Sequence, residues 1–247
     1  MREDVSHLLS ITRSCYAITM IMRYLFSCPN ERRKAYAIAI ASSCSLLLLM
    51  IRILMTQRLT YAFLVWNLFL AWVPLICAWI VSRNTRPMVE WKTTWIAVLV
   101  WLLFFPNAPY LLTDLGHLTR LGEWMISPLG FDVVMLLSFT LNGLLLGFVS
   151  LFLMEAVWRK QFTSRVATAL SVLVLFLAGF GMYLGRFLRW NSWDFFHRPF
   201  LLLEDLLMRV LDPVGHPRTW AFTLFYASFL IILYTIIRLW HTDKDTK

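Results

Sequence analysis

Two polar clusters interrupt a chain that is otherwise strongly apolar. The first is Phe105-Pro106-Asn107-Ala108-Pro109-Tyr110-Leu111-Leu112-Thr113-Asp114-Leu115-Gly116-His117. Asp114 and His117 are three apart, so on a helix they share a face. A carboxylate beside an imidazole can move a proton, which makes Asp114 and His117 candidates for general acid–base work. They do not make a metal site: two ligands are too few, and the chain has no zinc-protease His/Glu cluster. No cofactor is indicated. The second cluster is Gly185-Arg186-Phe187-Leu188-Arg189-Trp190-Asn191-Ser192-Trp193-Asp194. Read as helix, Arg186 and Arg189 share a face, and their guanidinium forks suit carboxylate or phosphate. With Asn107, Thr113, Asn191 and Asp194 they would form a polar pocket for an anionic or lipid-linked ligand. The same arginines have a plainer use, which is to pair with Asp114 or Asp194 inside the protein.

These residues have to be held by membrane helices. The chain has 247 residues, 60% hydrophobic and only 15% charged, with a mean hydropathy of +0.67. Soluble domains carry about 25% charged residues. Spans are expected at about 35–54, 60–81, from near 93 into the first polar cluster, 131–158, 166–186 and 219–240, each long enough for the hydrocarbon core. The runs are continuously apolar rather than alternating, which excludes a barrel. Pro74 can kink the second span, a feature membrane helices tolerate. Pro106 and Pro109 should break the third, because each removes a backbone donor and turns its predecessor away from the helical region. Pro109 would then open a second short helix, capped by Asn107 or a neighbour. Bare backbone at that depth needs protein or water over it, so a cavity or packed polar pocket is implied.

Charge sets the orientation. With a cytoplasmic N-terminus, Lys34, Lys92, Lys160, Lys244 and Lys247 all fall inside. The outside then holds no lysine and the arginines Arg52, Arg58, Arg120, Arg186, Arg189, Arg198, Arg209 and Arg218. The positive-inside rule therefore puts both termini in the cytoplasm and both polar clusters outside. The net charge of +9 is spread over these loops, so nucleic acid is not a partner. The organisation is an N-terminal segment 1–34, a membrane domain 35–240 and a cytoplasmic tail 241–247. Residues 1–30 carry Arg13 and Arg23 in an apolar stretch, which fits an amphipathic segment on the inner surface. A start at Met20 or Met22 is the other reading, leaving residues 1–21 untranslated. The cysteines Cys15, Cys28, Cys44 and Cys77 form no disulfide pattern.

Further features fit the scaffold. Gly143-x-x-x-Gly147 and Gly181-x-x-x-Gly185 let helices approach closely. Packing within one chain is favoured over oligomerisation. Asn142 reads as interhelical glue, and Asp132 as an acidic residue favoured at a helix N-terminus. The cytoplasmic half offers few intramembrane polar groups beyond Asn67 and Asn142, which weighs against transport. Pro199 to Leu211 predicts an amphipathic helix lying in the outer interface or over the pocket. Its apolar stripe is 200, 203, 207, 210 and 211, with Glu204, Asp205 and Arg209 off it. His197 and His216 flank it as loop residues. No P-loop, dinucleotide fingerprint or nucleophile elbow occurs.

Phe105-Pro106-Asn107-Ala108-Pro109-Tyr110 with Thr113-Asp114, the Gly185–Asp194 cluster and Trp66-Asn67-Leu68-Phe69-Leu70-Ala71-Trp72 together resemble the bacterial membrane proteins of the domain-of-unknown-function 1361 family. The resemblance covers about residues 35–240 and implies a multi-pass inner-membrane protein. It implies no activity. The expectation is an all-α polytopic protein of six transmembrane helices with an outer interfacial amphipathic helix. Its outward pocket would bind a ligand, with an envelope enzyme using Asp114 and His117, or a structural membrane protein, as the alternatives.

Overall fold

The computed structural model describes residues 29–83, 91–120 and 129–242. The expectations placed on residues 1–28, on Cys15 and Cys28 among them, and on the tail beyond 242 lie outside the described residues. The elements are α1 (Pro29–Thr56), α2 (Phe63–Arg83), α3 (Trp91–Phe104), α4 (Asn107–Tyr110), a 3-10 helix (Leu111–Arg120), α5 (Leu129–Trp158), α6 (Ser164–Phe187), α7 (Asp194–His197), α8 (Pro199–Leu211) and α9 (Pro217–Thr242). Among the described residues there is no strand, and six stretches are long and apolar enough to cross a bilayer. The protein is all-α and polytopic. The chain divides into compact units within α1, between Cys44 and Ser45. The larger unit, from Ser45 onward, contains both polar clusters.

The third span, Thr94–Leu118, is composite: α3, a turn at Phe105-Pro106, α4 and the 3-10 helix. The prolines break the helix as their chemistry requires. The break differs in detail from the expected one. The short helix opens at Asn107 with Pro106 in the cap position, and Pro109 sits inside it. Asn107 does not cap it. Its Nδ2 turns back to the Phe104 carbonyl at 2.9 Å, which satisfies an orphan acceptor at the end of α3.

The broken segment is buried between α5 and α6, and glycines make room for it. A Cβ on Gly143 would strike the Ala108 carbonyl and come within 2.6 Å of Leu111 Cδ1. One on Gly181 would lie 2.6 Å from Pro106 Cγ. Gly147 faces Ala108, and Gly185 faces Tyr110. Both small-residue motifs therefore receive this chain's own third span. The Thr140 hydroxyl donates to the Leu111 carbonyl at 3.0 Å, covering backbone inside the protein. Asn142 donates to Ser45 at 3.5 Å, joining α5 to α1 as expected of interhelical glue.

The core runs from Trp101 and Phe105 through Phe148, Leu151 and Met154 to Leu175, Met182 and Tyr234. Large apolar side chains such as Trp95, Ile96, Leu141 and Phe225 remain exposed, as suits helices solvated by lipid.

Gly143→Ala is expected to lower stability by about 1–3 kcal/mol through overpacking. Gly130→Ala, where a Cβ would meet nothing within 4 Å, is expected to be neutral or slightly stabilising. Thermal unfolding in micelles checks both, and equal melting shifts would remove the glycine-seam account.

Candidate functional site

The 3-10 helix that carries Asp114 and His117 is ten residues long, well beyond the usual few. Side chains three apart eclipse in a 3-10 helix. Leu112, Leu115 and Leu118 therefore form one half-buried column, and Leu111, Asp114 and His117 another. The leucine spacing of three is visible in the sequence, but residues three apart also share a face of an α-helix, so the spacing does not by itself set this segment apart.

Asp114 is 1% exposed and lies at the centre of a cluster. Arg186 Nη1 is 3.4 Å from Asp114 Oδ1 and 3.3 Å from His117 Nε2. His117 Nε2 is 3.9 Å from the same carboxylate oxygen. Asn67 Nδ2 donates to Asp114 Oδ2 at 3.0 Å. A carboxylate only accepts, so the amide must turn its nitrogen to Asp114. Sequence reasoning places Asn67 in the cytoplasmic half. It stands instead in the first turns of α2, at the end of the spans that also holds Asp114 and α8. Its location on a broad apolar helix carries no sign of this partner. The side chains of Phe63 and Tyr61 pack round His117, with ring centres 5.2 and 6.4 Å away.

The other expected residues divide. Asn107 Nδ2 also donates to Ser192 Oγ at 2.9 Å, and Ser192 Oγ donates to the Leu103 carbonyl at 3.2 Å. The loop after α6 is thereby stitched to the broken third span. Thr113 is buried, with its hydroxyl on the Tyr110 carbonyl at 2.7 Å. Asp194 accepts from the Asn191 backbone N–H at 2.7 Å and starts α7, so it pairs with neither arginine. Arg189 does not share a face with Arg186. Helix α6 ends at Phe187, and Arg189 takes a left-handed φ of 60° as the chain turns away. It is exposed, and its side chain makes no hydrogen bond or ion pair among the described residues.

Two buried charge groups escape sequence reasoning. Arg52 Nε meets Asp132 Oδ1 at 3.3 Å, with side chains 1% and 8% exposed. Asp132 is thus an ion-pair partner as well as a residue of the first turn of α5. The Arg52 guanidinium stacks over the Tyr61 ring at 4.5 Å. Burial, reinforced by Asp132 and opposed by Arg52, raises the Tyr61 phenol above its usual 10.0, so it stays protonated. At the opposite end Glu155, 3% exposed, takes Arg159 Nη2 at 2.7 Å and the Tyr234 hydroxyl at 2.8 Å. The end of the spans away from Asp114 is therefore more polar than expected.

A cavity of about 450 Å³ lies beside the cluster. It is walled by α2, α3, the break, α6 and α8, with Asn67, Asn107, Tyr110, Trp190, Asn191 and Ser192 on its lining. Asp114, His117, Arg186 and Arg189 are absent from that lining. Helix α8 turns Leu202 and Leu206 into the cavity. On the same inner face Asp205 Oδ2 accepts from Trp190 Nε1 at 2.7 Å, and Asp205 Oδ1 from Arg209 Nη1 at 3.1 Å. Asp205 and Arg209 thus face the protein rather than water. Phe200, Leu203, Leu207, Val210 and Leu211, the expected stripe, are the exposed side.

Arg186→Met is expected to cost about 3 kcal/mol, because it leaves the buried Asp114 without its cation. Arg189→Met should stay within about 0.5 kcal/mol. Adding Asp114→Asn to Arg186→Met should restore part of the loss. Thermal melts of the variants check this, and like losses at the two arginines would refute the pairing.

The model of the family described as "Protein of unknown function (DUF1361)" matches residues 66–233. No curated protein and no solved structure matches the chain. The matched stretch runs from Trp66, on the cavity wall, through the broken span and Arg186 into α9. With well over half of its length covered, the chain belongs to the DUF1361 family.

Proposed function

We propose that this protein is a cell-membrane protein, with both termini in the cytoplasm, that holds a lipid-linked ligand in a side-opening cavity at the outer end of its spans. The observation that carries the reading is the composition of the cavity wall. Leu99, Leu102, Leu177 and Trp66 line it and are themselves 53%, 38%, 39% and 51% exposed. Surface that is both cavity wall and lipid-facing surface suits an acyl or isoprenoid chain entering from the bilayer. Asn107, Asn191 and Ser192 supply the polar groups against which a head would rest.

Asp114 and Arg186 position this site. Asp114 is buried, and its two oxygens hold Arg186 and Asn67. Of these groups only Asn67 reaches the cavity. A general base needs contact with the reacting proton, and neither Asp114 nor His117 lines the space where a ligand would lie. Binding is therefore the better-supported reading than acid–base catalysis.

The orientation follows from the lysine distribution. In a cysteine-free background, Val214→Cys should react with an impermeant maleimide added to intact cells, and Thr163→Cys only after lysis. The reverse pattern would invert the topology. For the ligand, a lipid with a diazirine on its acyl chain, reconstituted with the protein and photolysed, should label Leu99–Tyr110 and Leu177–Gly185 above other exposed apolar stretches such as Leu224–Phe225. Uniform labelling of all lipid-facing helices would sink the cavity-binding reading.

A further inference from the structure

We infer that the cavity selects an uncharged, hydroxyl-bearing lipid headgroup, such as a glycosyl group, and reads it through the side-chain oxygens of Asn67 and Asn107. The inference rests on the lipid-binding reading above and fixes the chemistry of the head.

Three observations carry it. First, no Asp, Glu, Lys, Arg or His lines the cavity. A phosphate or ammonium head there would be desolvated without a countercharge, which is costly. The guanidinium expected to bind an anion, that of Arg186, lies behind the wall on Asp114 and His117. Second, the two lining amides are fixed with their nitrogens inward. Asn67 Nδ2 is held by Asp114, and Asn107 Nδ2 by both the Phe104 carbonyl and Ser192 Oγ. Neither Oδ1 accepts a hydrogen bond among the described residues. The amides therefore offer acceptors, and acceptors call for O–H or N–H donors on the ligand. Third, two further donors on the wall are already committed. Trp190 Nε1 is on Asp205, and Ser192 Oγ donates to the Leu103 carbonyl. A wall without charge, with the free amide oxygens of Asn67 and Asn107 as acceptors and the Asn191 amide as a donor, matches a neutral polyol, whose hydroxyls both donate and accept.

The test is titration by native mass spectrometry of the full chain in micelles. Monoglucosyl diacylglycerol, phosphatidic acid and phosphatidylethanolamine of identical acyl chains are compared. The glucosyl lipid should bind at least about tenfold more tightly than either charged lipid. Methyl glucoside, which has the head without the chain, should not bind at the same concentrations. Asn67→Ala and Asn107→Ala should each lose about tenfold for the glucosyl lipid and leave phosphatidic acid binding unchanged. If Asn107→Ala fails to fold, because that amide also caps α3, Asn67→Ala and the wild-type series still decide. Preference for phosphatidic acid or phosphatidylethanolamine overturns the inference. Equal binding of all three lipids overturns it too, but leaves the lipid-binding reading standing. Absence of any lipid at defined stoichiometry removes both. Glucosyl preference that survives both alanine variants overturns the assignment to these amides.

Discussion

A backbone that leaves the α-helix inside a membrane must be covered by protein, since lipid offers no hydrogen bonds. The rest of this structure depends on meeting that requirement at Phe105-Pro106. Glycines on α5 and α6 let the broken segment sink between them, with Gly143 against Ala108 and Leu111, and Gly181 against Pro106. Polar side chains then reach the carbonyls that the break exposes. Asn107 takes Phe104, Ser192 takes Leu103 and Thr140 takes Leu111. The loop after α6 is drawn in by the same bonds, and with it one wall of the cavity. Covering the break and building the cavity are thus one structural act.

Charge is handled by the same economy of contact. Each carboxylate buried among the described spans meets an arginine: Asp114 with Arg186, Asp132 with Arg52, Glu155 with Arg159. An unpaired charge at such depth would be far more costly than the ordering of two side chains. Two of the pairs join elements distant in sequence, α1 to α5 and the 3-10 helix to α6, and so help to fix how these helices are rotated about their axes. Asp114 does more than pair. Through Asn67 it sets which end of an amide faces the cavity.

Much of this was legible in the residues. The six apolar runs, the break at the two prolines, the helix beginning at Pro199 and the family resemblance could be read directly, because each depends on local sequence. The relation of Asp114 to Arg186 followed from topology, which brings the ends of alternate spans to one face. Rotation was harder. That Asn67 looks toward Asp114, that Arg52 finds Asp132, and that Asp205 and Arg209 face inward all depend on how neighbouring helices are turned. No single segment encodes this. Arg189 shows the complementary limit: a helical-face argument holds only as far as the helix, and α6 stops two residues short of it.

The ten residues from Leu111 to Arg120 have a phase of three. In an α-helix no small whole number of residues restores a face. Here, three residues do so. Inserting one residue after Thr113 would turn every later side chain by about 120° and exchange the leucine column for the polar one. Inserting three would keep both columns and merely lengthen the rod by about 6 Å. The segment is therefore built in units of three residues, and a change of length keeps its two columns in place only in such steps.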